Sequence, residues 1–79
     1  SSDTIKTMAN YLMDGDTGEA EEDTIMRLIG NGSWDQYTQI MNGNDPAFLQ
    51  RLGDELDTED MATFKQWNAN PHFSRNPGV

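Results

Sequence analysis

Apolar residues recur along this chain at helical spacing, and no segment alternates with the period of two that marks a half-buried strand. Ile5, Met8, Ala9 and Leu12 follow the i, i+3, i+4, i+7 rule, with Ser2 as the expected cap and Asp14-Gly15 as the stop. After an acidic, glycine-bearing loop, Glu21, Glu22 and Asp23 suit the positive end of a helix dipole. Ile25, Leu28 and Ile29 then form one apolar face, which Gly30-Asn31-Gly32 ends. Ser33 with Gln36 three places on is a capping-box pair, and Trp34, Tyr37, Ile40 and Met41 form the inward side of the third segment, closed by Asn42-Gly43-Asn44. Asp45 followed by Pro46 combines a cap with proline at the first helical position, leading into Phe48, Leu49, Leu52 and Leu56. Asp57 or Thr58 caps a fifth segment with Glu59 and Asp60 in its first turn, Met61, Phe64 and Trp67 inside and Lys65 near its end.

This pattern predicts an all-α fold: a compact bundle of five short helices over residues 1–68 and an irregular, extended or flexible tail over 69–79. The tail holds Pro71, Pro77 and Gly78 and shows no period, although Phe73 could dock on the bundle. The predicted loops run about two to seven residues, as in helical bundles. Trp34, Tyr37, Phe48, Phe64 and Trp67 recur at helical spacing and are expected in the core. A chain of 79 residues forms one domain with a small core, and without cysteine it has neither a disulfide nor a thiolate metal site to reinforce it.

Charge narrows the partners. A net charge of −9, with Lys6, Arg27, Arg51, Lys65 and Arg75 scattered singly, argues against nucleic acid, because phosphate contacts need clustered bases. Anionic lipid is repelled as well, unless calcium bridges the two negative surfaces. Many acids have a local role: Asp35, Asp45, Glu59 and Asp60 fall at or just after expected helix starts. The remaining excess could mimic nucleic-acid phosphates toward a basic partner, though the charges form no long run. No apolar run reaches the length of about 20 residues that a membrane-spanning helix needs, and no signal-peptide pattern is present. Beginning at Ser1 without Met, the sequence is expected to be a processed chain or a fragment of something longer.

Catalytic chemistry finds little material. The single histidine, His72, lies in the proline-containing tail, and no cysteine or Ser-His-Asp arrangement is present, so no enzyme activity is expected. Tyr11 and Met13 fall off the main stripe of the first helix, and with Met26 they are the candidates for an exposed contact patch. Asp14-Gly15-Asp16 could open an EF-hand loop, but the twelfth place, where that loop needs a bidentate Glu, is Ile25. A looser oxygen-rich loop for a hard cation stays open beside the simpler reading that these residues end one helix and begin the next.

Two stretches carry a family resemblance. Gly18-Glu19-Ala20-Glu21-Glu22-Asp23-Thr24-Ile25-Met26-Arg27-Leu28-Ile29 is similar to the annexin stretch in which a glycine-bearing loop meets an acidic, then apolar, second helix. Phe48-Leu49-Gln50-Arg51-Leu52-Gly53-Asp54-Glu55-Leu56 is similar to the annexin fourth helix with its terminal acidic-Leu pair. With the order of five helices, Thr4 to Asn68 resembles one annexin repeat. The resemblance implies a calcium site from the first loop and the end of the fourth helix: Asp14, Asp16 and Gly18 on the loop, the carboxylate of Glu55, and Asp57 as a substitute. The expected function is a non-enzymatic interaction module, part of a larger or secreted protein, docking to a protein partner or to a calcium-bridged membrane surface. A calcium-stabilised structural domain without lipid binding is the alternative from another class.

Overall fold

Local side-chain caps decide where the helices begin. In the computed structural model, which describes residues 1–42 and 44–70, the elements are α1 (Ser2–Leu12), α2 (Glu19–Gly30), α3 (Trp34–Met41), α4 (Pro46–Glu55) and α5 (Thr58–Ala69). The fold is all-α, with no strand among the described residues. Ser33 Oγ accepts from Gln36 N while the Gln36 side chain accepts from Ser33 N, closing the expected capping box. Asp45 and Asp57 cap α4 and α5 through the amides of Phe48 and Asp60.

Two starts shift. Ser1, rather than Ser2, accepts the Thr4 amide and caps α1. Glu21 reaches back to the Gly18 N–H at 3.1 Å, so α2 opens at Glu19, two residues before the expected acidic run. Between α1 and α2 the chain reverses at Gly15, whose φ of +73° a side chain would oppose. At the other end α5 takes in Ala69, with Asn70 as its C-cap. The rest of the expected tail, including His72 and Phe73, lies outside the described residues.

The inward faces meet in a single cluster of Ala9, Met13, Ile25, Met26, Ile29, Tyr37, Ile40, Phe48, Leu52, Leu56, Phe64 and Trp67. Trp34 is half-buried and stacks on Tyr37 with ring centroids 5.5 Å apart, while Trp67 meets both Tyr37 and Phe64 edge-on. The buried Tyr37 hydroxyl donates to Asn68 Oδ1 at 2.8 Å and lies 3.2 Å from the Phe64 carbonyl oxygen, which fastens α3 to α5.

The first helix corrects two expectations. Ala9 and Met13 face the core and Ile5 packs against it, whereas Met8, expected inside, is 47% exposed. Positions 5, 9 and 13 share one side of the helical path, so α1 is turned by about one position relative to the expected stripe. Met13 is therefore 1% exposed and belongs to the core, not to a contact patch. Met26 is corrected likewise: at 5% exposure it lies one turn from Ile29 on the buried side of α2. Of the proposed patch only Tyr11, 77% exposed, is on the surface.

Side-chain bonds tie α4 across to α1. Arg51 donates to Asn10 Oδ1 at 3.0 Å and to Asp14 Oδ1 at 2.8 Å, and Lys6 pairs with Asp45 Oδ2 at 3.3 Å. Asp45 thus serves two roles, capping α4 and pairing with α1. Asp45→Ala is expected to lose about 1–2 kcal/mol, the sum of a cap and a surface ion pair. Asp45→Asn keeps the cap and should lose less than about 1 kcal/mol. Urea melts of both variants check this; equal midpoints would contradict the cap.

Candidate functional site

The N-termini of α2 and α5 converge on an acidic corner. Glu22 sits one turn before Ile25 and Met26 on the inward side of α2 and is only 8% exposed. Its Oε1 accepts the backbone N–H of Asp57, the cap residue of α5, at 3.0 Å. The burial of a carboxylate is thereby partly offset by a hydrogen bond to its charged form. Oxygens of Glu19, Glu22 and Asp57 lie within 4.8 Å of one another, and among the described residues these are the carboxylates that could together hold a cation.

Crowding shows in the protonation of this corner. Asp60, in the first turn of α5, is pushed up to about 6, first by burial and then by the charges of Asp57 and Glu22 and by hydrogen bonds to both that favour its protonated form. Glu19 is also raised, chiefly by Glu22 and then by Asp57. Asp23 and Arg27 line the same hollow as Asp60.

The sign of the pH effect follows from the raised value. Below about pH 4 Asp60 is protonated in folded and unfolded chains alike, and no penalty exists; above about pH 6 the folded chain carries the full cost of the charge. Stability should therefore fall as pH rises from about 4 to 6. Asp60 is partly open to solvent, which screens the repulsion, so about 1 kcal/mol is at stake. Asp60→Asn should flatten this slope and melt higher than the parent at neutral pH. Thermal melts at several pH values test it, and an unchanged slope in the variant would remove Asp60 as the cause.

The loop ligands expected from the sequence are otherwise engaged. Asp14 accepts from Arg51, and Glu55 Oε2 accepts from Thr17 Oγ1 at 2.8 Å, holding the first loop against the end of α4. Asp16 and Gly18 are exposed on that loop, and Gly18 gives its amide to Glu21. Of Asp14, Asp16, Gly18, Glu55 and Asp57, only Asp57 belongs to the converging carboxylates, and its companions are Glu19 and Glu22. The sequence held a signal for Glu22: continued backward, the stripe of Ile29, Met26 and Ile25 lands on it.

A second feature lies between α1 and α2. Thr7, Met8, Tyr11 and Leu12 of α1 and Thr24 and Leu28 of α2 wall an apolar groove of about 490 Å³. Met8 and Tyr11 are the large hydrophobic side chains exposed among the described residues, and both are in this wall. The groove adjoins a hollow of about 290 Å³ that shares Tyr11 and Leu12 and adds Asp14 and Glu21. No helix among the described residues is long and apolar enough to cross a membrane. No family model, curated protein or solved structure matches the chain.

Proposed function

We propose that this chain is a non-catalytic helical interaction module that docks a protein partner on the groove between α1 and α2. The observation that carries the reading is the joint exposure of Met8 and Tyr11 on one apolar wall, in a chain whose other large hydrophobic side chains are buried or half-buried among the described residues. Exposed apolar side chains that gather in one groove mark contact sites more often than the same side chains scattered singly. The plan resembles an annexin repeat, supported by the order of five helices and by the Thr17–Glu55 bond between the first loop and the end of α4.

The test is site-specific photocrosslinking in native extract, with a benzophenone amino acid replacing Tyr11 or, as a control, the exposed Gln66 of α5. A discrete adduct from position 11 that disappears in Met8→Glu is expected. Adducts of equal yield and identity from both positions would refute groove docking.

A calcium-stabilised structural domain is the second reading, favoured by the approach of Glu19, Glu22 and Asp57. A cation there would relieve the mutual repulsion of the corner. It predicts that calcium raises the melting temperature of the parent chain and not that of Glu19→Gln. A melting curve indifferent to millimolar calcium would dispose of it.

A further inference from the structure

From the juxtaposition of the apolar groove with the carboxylates of Asp14 and Glu21, we infer that the occupant is a basic amphipathic helix of a partner protein, its apolar side chains in the groove and a Lys or Arg in the adjoining hollow. This inference rests on the groove-docking reading and specifies its partner.

Shape supports a helix. The groove is walled by neighbouring turns of α1 and α2, with Thr7 and Tyr11 one turn apart on the first and Thr24 and Leu28 one turn apart on the second. Rows of side chains spaced four apart receive the ridges of another helix. The walls run from Thr7 to Leu12 on α1 and from Thr24 to Leu28 on α2, about 7 Å along the axes, enough for one to two turns bearing anchors at i and i+3 or i+4.

Charge selects the sign. The groove shares Tyr11 and Leu12 with the hollow that Asp14 and Glu21 line. Both carboxylates already accept one bond, Asp14 from Arg51 and Glu21 from the Gly18 amide. Asp14 is ion-paired with Arg51 at 2.8 Å, so Glu21, whose present donor is a neutral amide, is the carboxylate with charge left for a cationic side chain and room for its donors. A second copy of this chain carries a further net charge of −9 and would be repelled, as would an anionic lipid surface. The cationic helix is the occupant that satisfies the apolar wall and the acidic hollow together.

Three synthetic peptides separate these ideas: an amphipathic Leu/Lys helix, its Leu/Gln counterpart, and a scrambled Leu/Lys peptide of identical composition with no apolar face. Binding is followed by amide chemical shifts of the labelled chain and by fluorescence anisotropy at low and high salt. The expected result is saturable binding of the amphipathic Leu/Lys peptide, with shifts centred on Met8, Tyr11, Glu21 and Leu28, weakened by salt. Glu21→Gln, which keeps an acceptor for the Gly18 amide, should weaken that peptide about two- to fivefold and leave the Leu/Gln peptide unchanged. Scrambled peptide binding equally well, or Leu/Gln binding as tightly as Leu/Lys at every salt concentration, would overturn the basic-helix inference. In the Leu/Gln case, shifts still centred on the groove would leave groove docking itself standing. Failure of every peptide to shift Met8, Tyr11 and Leu28 would remove groove docking as well. Sedimentation showing a salt-independent dimer, with the same residues shifting on dilution, would replace the partner helix with a second copy.

Discussion

Phe64→Ala is expected to unfold the chain at room temperature. Phe64 is 2% exposed, meets Trp67 edge-on at 5.7 Å, and lends its backbone carbonyl to the neighbourhood of the Tyr37 hydroxyl. Truncating a buried phenylalanine costs about 3–5 kcal/mol in lost transfer free energy and residual cavity. A domain of this size is stabilised by a sum of comparable magnitude, and no disulfide adds to it. The measurement is the helical circular dichroism signal and its urea dependence. Phe64→Leu should keep a cooperative transition at lower midpoint, and a fully cooperative, parent-like melt for Phe64→Ala would show that the aromatic cluster contributes little.

The second large effect separates two residues that are close in sequence. Met13→Asp should destabilise the fold by about 3 kcal/mol or more, because a carboxylate forced among Ala9, Ile25 and the rest of the core loses its water and gains no designed partner. Tyr11→Asp, only two positions earlier, should stay within about 0.5 kcal/mol of the parent, since that ring is 77% exposed. Denaturant midpoints of the pair check the orientation of α1: similar losses for both would mean that α1 is turned differently from the arrangement described above.

Much of the fold was legible because the signals were local. Ser33 with Gln36, Asp45 with Phe48, and Asp57 with Asp60 each fix a helix start through bonds spanning three residues, and such bonds depend on nothing distant. The rotation of α1 was not legible. Ile5 and Ala9 belong equally to a stripe with Met8 and Leu12 and to one with Met13, and the choice between the two is made by α2 and α3, which pack on the same helix.

The candidate sites divide in the same way. Glu22 could be found by extending the α2 stripe, but its meeting with Asp57 spans 35 positions of sequence and is created only when α5 folds back. The apolar groove was hidden for a related reason. Its walls are residues with ordinary helical spacing, and whether another helix covers them is a matter of tertiary arrangement. Tyr11 stays outside because it lies off both the expected stripe and the observed one of Ile5, Ala9 and Met13.

The reach of Glu22 to the Asp57 amide joins two helix ends that are far apart along the chain. Fraying of the first turn of α5 releases that amide and leaves a carboxylate at the start of α2 without its donor, so the bond couples the two ends. A disturbance of one end is then felt at the other through this 3.0 Å bond.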